Sequence, residues 1–178
     1  MELTRAKQGI LSAILPDDGT FPNSRLPVVV YPGALADGEL ASVFEQLFEA
    51  NSWGGAWRNG IYSVHHYHST AHEVLGICGG SGFVRLGGET GVTVQARPGD
   101  CIVIPAGVAH KLLEKTPGFF VVGAYPAGQS WDICYGRPGE RPLADRRIEG
   151  VPLPALDPVS GKNGPLLQLW GGGLNGGT

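Results

Sequence analysis

The chain has few cysteines and little charge, and both shortages exclude classes of protein. Its three cysteines are an odd number without a C-x-x-C spacing, so Cys78, Cys101 and Cys134 are interpreted as reduced thiols, not as a disulfide framework or a zinc site. The formal net charge is −3, and no basic cluster is longer than Arg146-Arg147. Nucleic acid is therefore not an expected partner.

Long apolar runs are also missing. The run from Ile10 to Leu15 is broken by Ser12 and ends at Pro16, too short for the apolar region of a signal peptide. No other run approaches the roughly 18 residues that a membrane span needs. The sequence therefore predicts no membrane partner and a cytoplasmic location.

What the chain has in abundance is turn residues. Its 178 residues suit one domain, and 29 glycines and 14 prolines separate short apolar segments. This pattern predicts an all-β sandwich or barrel. We expect one domain over 1–178, with an N-terminal arm and helix at 1–57, a barrel core at 58–124 and a proline-rich C-terminal arm at 125–178.

Helical periodicity occurs once, between Asp37 and Asn51. The apolar set there recurs at i, i+3, i+4, i+7 and i+8: Leu40, Val43, Phe44, Leu47 and Phe48. The pattern predicts an amphipathic helix capped by Asp37 that packs on the barrel, with partner binding as the alternative.

Strand patterns account for most of the remaining ordered segments. They fall at Pro27–Tyr31, Tyr62–His68, Glu73–Cys78, Phe83–Leu86, Val92–Gln95, Cys101–Ile104, His110–Leu113 and Phe119–Ala124. Seven of these eight strands lie in or beside the predicted core, joined by glycine- and proline-rich turns. A compact, mostly antiparallel barrel is the expected result.

Four residues of this core are the candidate metal ligands. Alternate strand residues share a face, so His66 and His68 point one way while His65 and Tyr67 point the other. Glu73 opens the next strand, and His110 follows a Pro-x-Gly turn. Three imidazoles and one carboxylate suit one divalent ion per chain: Fe, Mn, Ni, Zn or Cu.

The motif spacing resembles that of the cupin superfamily, the RmlC-like jelly rolls, whose motifs are G-x5-H-x-H-x3,4-E-x6-G and G-x5-P-x-G-x2-H-x3-N. The matching positions are Gly60, His66, His68, Glu73, Gly80, Gly99, Pro105, Gly107 and His110, with Glu114 in place of the final Asn. The run Trp57 to Tyr62 and the later Asp157-Pro158-Val159 resemble the YjlB-like branch of bacterial cupins. That resemblance implies a double-stranded β-helix, the four metal ligands and a homodimer, but no particular reaction.

Three functions therefore stay open at this point. They are a metal-dependent enzyme, dioxygenase-like or with other metal-centred chemistry, acting on a small organic molecule; a non-catalytic ligand-binding or sensing cupin; and a structural barrel with a vestigial site. No catalytic residue is assigned, and no cofactor apart from the metal. Apolar Val64, Leu75 and Leu112 predict an apolar pocket wall.

Other candidate residues carry weaker expectations. Tyr62 and Glu114 stand about 13 Å along a strand from the nearest ligand, at about 3.3 Å per residue, too far to reach a metal-bound group. His65 and His72 are expected at solvated or surface positions, with a role beside the ligands as the alternative. The glycine-rich stretch 171–176 fits G-x-G-x-x-G, but no helix is predicted after it, so a dinucleotide site is rejected.

Overall fold

Strands make up most of the ordered structure. The computed structural model describes residues 2–5, 9–36 and 38–171. Within these residues the strands are Thr4–Arg5 (β1), Leu11–Leu15 (β2), Ser24–Tyr31 (β3), Trp53–Asn59 (β4), Glu73–Gly79 (β5), Gly82–Leu86 (β6), Val92–Ala96 (β7), Cys101–Ile104 (β8), His110–Lys115 (β9) and Phe120–Pro126 (β10). The helices are Leu40–Ala50 (α1), Leu143–Glu149 (α2) and Pro165–Gly171 (α3). The predicted all-β class is therefore confirmed in its main part.

The strands pair into two antiparallel sheets. The larger has the order β1-β2-β3-β8-β5-β10-β4, and the smaller has the order β7-β6-β9. Alternate residues such as Leu75 and Ile77 of β5 and Val84 and Leu86 of β6 join one buried cluster, as expected for two sheets that pack face to face. The pairing does not close the strands into a single barrel, so the architecture is two facing sheets.

Helices cover the outer face of the large sheet. Helix α1 packs on β4, β5 and β10, and α3 packs on β3. The ring of Phe44 lies against Gly76, where an added Cβ would stand 2.5 Å from the ring. No helix in the described part of the chain is long and apolar enough to span a bilayer.

The helix predicted over 37–51 forms, with two corrections. It begins at Leu40 after Glu39, which makes no side-chain capping hydrogen bond, and Asp37 lies outside the described residues. Val43 is 39% exposed, so only part of the predicted apolar stripe is buried. The buried contacts of α1 come from Leu40, Ala41, Phe44 and Phe48.

The N-terminal segment contributes more than an arm. The strand expected at Pro27–Tyr31 extends back to Ser24, and β2 pairs with it, although no strand was predicted at 11–15. Strand β3 in turn pairs with β8 inside the large sheet. Strand β2 was not predicted because Ser12 interrupts its apolar run and Pro16 ends it.

The strand predicted at Tyr62–His68 is wrong. That segment forms two isolated bridges, His66 with His110 and Tyr67 with Cys134. Its backbone groups therefore bond to partners on two sides, and no continuous ladder develops. The strand that precedes it, β4, was missed because Gly54 and Gly55 weaken the strand pattern.

The described part of the C-terminal segment, residues 125–171, is not purely extended. Two helices form after β10, and Pro165 begins α3, a position where its missing N–H costs no helical bond. Trp170 is buried and donates from Nε1 to the carbonyl of Pro27 at 2.9 Å. Trp131 of the same segment is half exposed.

Candidate metal centre

The four predicted ligands lie between the two sheets. Glu73 opens β5 of the large sheet and His110 opens β9 of the small sheet. His66 exchanges both backbone hydrogen bonds with His110, at 3.1 and 2.9 Å, which places their rings 4.0 Å apart between centroids. His68 follows two residues later, with its ring centroid 5.9 Å from that of His66.

Each histidine turns the same ring nitrogen away from the others. Nδ1 of His66 lies 3.1 Å from the carbonyl of Val64, and Nδ1 of His110 lies 3.1 Å from the carbonyl of Val108. Nδ1 of His68 bonds to a backbone carbonyl in the same way, that of residue 132. Because a carbonyl only accepts, each Nδ1 carries the proton and each Nε2 presents a lone pair.

Two of the three Nε2 atoms, those of His68 and His110, face Glu73. Its Oε2 lies 3.4 Å from Nε2 of His68 and 3.3 Å from Nε2 of His110, and the residue is only 3% exposed. The ligand atoms of His66, His68 and His110 all lie within 4.8 Å of one another. Acceptors this close, buried and without a donor between them, repel one another unless a proton or a cation lies among them.

The pKa values of the cluster follow from this crowding. Burial, helped by the neighbouring His110, lowers the pKa of His66 to about 3, so its imidazole is neutral. Burial is the largest influence on the pKa of His68 and acts to lower it, but the charge and hydrogen bond of Glu73 and the contacts with Asp132 together outweigh burial, so the pKa is raised. In Glu73 burial acts to raise the pKa, and the contacts with His68 and His110 outweigh it, so the net shift is downward. His68 and Glu73 therefore each favour the charged form of the other.

The donor set fits a divalent metal ion. Three neutral imidazoles with free Nε2 atoms and one carboxylate oxygen are the ligands that borderline transition ions prefer. Each imidazole also has a hydrogen-bonded Nδ1–H, the arrangement typical of metal-ligating histidines.

A cavity of about 380 Å³ borders the cluster. Its apolar lining comes from the aromatic residues Trp57, Tyr62, Tyr125 and Trp131 and the aliphatic residues Ile61, Leu75 and Ile133. The size is at the small end of ligand pockets, which suits a small organic molecule.

This lining corrects two expectations. Of the three apolar residues predicted for the wall, Leu75 borders the cavity, whereas Val64 is 54% exposed and Leu112 lies in the buried core away from the cavity lining. Tyr62, expected to lie too far away, borders the cavity with its ring 5.0 Å from that of His66. The errors at Val64 and Tyr62 arise because 62–68 is not an extended strand, so neither parity nor rise per residue applies to it.

The remaining candidate residues lie outside the cluster. His65 packs against Phe21, with ring centroids 5.2 Å apart, and its Nε2 is 3.2 Å from Glu89. The surface position expected for His72 is wrong, because the residue is buried and burial lowers its pKa to about 4. Its Nδ1 accepts a hydrogen bond from the amide of Ala106 at 2.9 Å. Glu114 is exposed on β9.

Two residues of the C-terminal segment that surround the site had no signal in the motifs. Tyr125 donates a hydrogen bond to Oε1 of Glu73 at 3.1 Å. Asp132 offers its carbonyl to His68, while its carboxylate accepts from the amide of Ser69 at 2.6 Å and from the hydroxyl of that serine. Both lie more than fifty residues from the group they contact, so only the tertiary structure shows the pairing.

Comparison with known proteins agrees with this architecture. A family model described as Cupin matches residues 57–127. The chain is also 44% identical over 156 residues to the uncharacterized protein YjlB of Bacillus subtilis (strain 168), covering 87% of this chain and 93% of that protein. The chain therefore belongs to the cupin superfamily. Within it, the close relative places the chain in the YjlB-like branch.

Solved structures resemble the chain more distantly. Acireductone dioxygenase from Bacillus anthracis, with a cadmium ion in its active centre, is 15% identical with a TM-score of 0.41, covering 72% of this chain and 84% of that chain. The 11S allergen from Cocos nucifera L. is 23% identical with a TM-score of 0.38, covering 52% of this chain and 31% of that chain. TM-scores this low give no information about the activity of this chain.

Proposed function

We propose that the chain binds one divalent metal ion and is a metal-dependent enzyme acting on a small organic molecule. The ligands are Nε2 of His66, His68 and His110 and one carboxylate oxygen of Glu73. Iron, manganese, nickel, zinc and copper all suit this set. The observation that carries the proposal is the shared orientation of the imidazoles, each with Nδ1 on a backbone carbonyl and Nε2 turned to the others.

The cavity supports a small-molecule substrate. A bound ion would supply Lewis acidity or redox chemistry at the open end of the cluster. The aromatic and aliphatic lining would hold an apolar part of the substrate by contact. Arg58, which also borders the cavity, is paired with Glu45 through two hydrogen bonds of 2.7 Å, so its charge is already compensated.

Side-chain acid–base chemistry has little support in this pocket. Apart from the four ligands, the titratable side chains that border the cavity in the described part of the chain are Arg58, Tyr62 and Tyr125. Burial and the charge of Glu73 raise the pKa of Tyr125, so its hydroxyl stays protonated. Phenol and guanidinium groups in general stay protonated near neutral pH, which makes them poor general bases. The chemistry would therefore be centred on the metal.

Metal content tests the first half of the proposal. Protein purified without chelating resin is expected to contain about one equivalent of a divalent metal per chain by plasma mass spectrometry. His66→Ala should lose it, and His65→Ala is the matched control, because the neighbouring histidine points away from the cluster. Equal metal content in the two variants, or none in the wild type, would contradict metal binding by these residues.

Turnover tests the second half. Protein loaded separately with Fe(II), Mn(II) and Ni(II) is screened for oxygen uptake and product formation over a panel of diketones, thiols and catechols, with His66→Ala as the blank. Turnover that depends on the cluster supports an enzyme. Saturable binding without turnover across the panel would favour the alternative, a ligand-binding or sensing cupin.

Three further proposals concern the whole chain. We expect residues 1–178 to form one domain, supported by the bond from Trp170 to Pro27, and we expect the protein in the cytoplasm. We also expect a homodimer, because β1 pairs with only Leu11 and Ser12 of β2 and leaves the rest of β2, with the exposed Ile14, at the edge of the large sheet, which pairing across a two-fold axis would protect. Light scattering at micromolar concentration tests the dimer, and a monomer mass would contradict it.

A further inference from the structure

The carboxylate of Glu73 stands at the end of a chain of two hydrogen bonds. Nε1 of Trp57 donates to the hydroxyl oxygen of Tyr125 at 2.8 Å, and that hydroxyl donates to Oε1 of Glu73 at 3.1 Å. An indole nitrogen only donates, so the phenol oxygen must accept from it. The phenol proton is therefore left for Glu73, and the direction of both bonds is fixed.

The backbone is shaped to hold this chain. Trp57 lies opposite Gly123 in the pairing of β4 with β10, and an added Cβ at Gly123 would stand 2.2 Å from the indole ring. The register of the two strands then shifts before Tyr125, beside Gly55, which has φ of +66°. The positive φ of Gly55 favours glycine, and the close approach of the Trp57 ring to Gly123 requires it. These two glycines thus help to position the two aromatic rings.

The two oxygens of Glu73 are consequently in different states. Oε1 is occupied by the hydroxyl of Tyr125, whereas Oε2 faces Nε2 of His68 and Nε2 of His110. In the described structure, Tyr125 is the one hydrogen-bond donor to Glu73 outside the histidine cluster. Removing that hydroxyl would free Oε1 to turn toward the cluster.

We propose that Trp57 and Tyr125 are positioning residues that restrict Glu73 to binding the metal through Oε2 alone. The inference rests on the proposed metal site and adds how the carboxylate is held there. A carboxylate bound through one oxygen occupies one coordination position, so a second position stays open for a ligand from the cavity. Neither aromatic residue touches the metal in this arrangement, and both act through Glu73.

The test compares two tyrosines that each donate to a buried carboxylate. Tyr125→Phe removes the donor to Glu73, and Tyr31→Phe removes the donor to Asp157, a bond of 2.7 Å on the other side of the large sheet. Affinity for Co(II) is measured by calorimetry, and the visible absorption of the Co(II) protein reports its coordination number. Both variants should lose a similar amount of thermal stability, but of the two only Tyr125→Phe should change the Co(II) affinity and the visible absorption.

The expected change is a loss of about 10–100-fold in Co(II) affinity for Tyr125→Phe, the range typical of partners that orient metal ligands. Its absorption should also change in position and intensity, because the freed carboxylate can bind through both oxygens. Trp57→Phe should shift both readouts in the same direction but less, since Tyr125 keeps its bond to Glu73 and loses only the donor that fixes it. Tyr31→Phe should match the wild type in both.

The outcomes distinguish failure of the metal site from failure of the positioning role. If the wild type binds no Co(II), the proposed metal site fails and this inference falls with it. If the wild type binds and Tyr125→Phe shows the same affinity and spectrum, the positioning role is overturned while the metal site stands. If Tyr125→Phe does not fold, Trp57→Phe decides the question by the same two measurements.

Discussion

Two buried carboxylates lie on opposite sides of the large sheet and serve different ends. Asp157, on the outer side, is fully buried and has a donor for each lone pair it offers. Its Oδ1 accepts from the amides of Val159 and Ser160 at 2.8 and 2.9 Å, and its Oδ2 accepts from the hydroxyl of Tyr31 at 2.7 Å and the amide of Leu166 at 3.0 Å. This carboxylate needs nothing further.

Glu73, on the inner side, is almost as buried but far less satisfied. Tyr125 supplies one donor to Oε1, and Oε2 faces Nε2 of His68 and Nε2 of His110. Burying an ionised carboxylate is costly unless its charge is compensated. The contrast teaches that complete hydrogen bonding identifies a structural carboxylate, whereas an unsatisfied one among converging acceptors identifies a site for a cation.

The largest effect should come from Asp157→Asn. The amide NH₂ group must face two donors whichever way it turns, so buried N–H or O–H groups lose their acceptor. At about 1–3 kcal/mol for each unsatisfied group, we expect the free energy of unfolding to fall by about 3 kcal/mol. Urea denaturation measures the loss. Unchanged stability would remove the structural role assigned to Asp157.

The matched change at the inner site, Glu73→Gln, should cost less stability in metal-free protein than Asp157→Asn. The amide can still accept from Tyr125, so the loss is confined to the charge contacts with His68 and His110 that lower the pKa of Glu73. Metal affinity, however, should fall at least about 100-fold, since loss of an outer partner alone costs about 10–100-fold. Calorimetry with Zn(II) checks this, and added Zn(II) should raise the melting temperature of the wild type but not of the variant. Equal affinities would contradict the role of Glu73.

A smaller loss of stability is expected at Gly164, whose lack of a side chain leaves room for Asp157. A Cβ added there would stand 2.1 Å from Cβ of Asp157, so Gly164→Ala should destabilise the fold by about 1–3 kcal/mol through overpacking. Gly171→Ala is the control, because nothing lies within 4 Å of its added Cβ. The two variants should differ clearly in urea denaturation. A neutral Gly164→Ala would show that the Asp157 loop yields easily.

The smallest expected effect is a change in the labelling rate of the cysteine thiols on the outer side of the large sheet. Burial raises the pKa of Cys78 to about 11, and burial together with the charge of Asp157 raises that of Cys101. Thiolates are the reactive form, so labelling with a disulfide reagent at pH 8 should be slow in folded wild type. Asp157→Asn should speed the labelling of Cys101 and Glu73→Gln should not. Equal rates in the two variants would weaken the comparison.

The sequence predicted the parts of this molecule that depend on local pattern or motif spacing. Helix α1 and most core strands follow from periodicity, and the four residues that converge follow from motif spacing. The strand expected at 62–68 did not form because its backbone bonds to two different neighbours, which no local pattern reveals. The match of Tyr125 to Glu73, or of Tyr31 to Asp157, depends on the pairing of distant strands and segments and could not be predicted from spacing.

Asp132 has a consequence for how far the site can be separated from the rest of the chain. The segment matched by the cupin family model, residues 57–127, contains all four proposed ligand residues but ends before Asp132. The carbonyl of Asp132 orients His68, and its carboxylate holds Ser69, the next residue. A chain shortened to the matched segment would keep every ligand and lose the group that aims one of them. The proposed metal centre therefore depends on a residue outside the matched segment, and transferring the four residues to another protein would require a replacement for the contacts of Asp132.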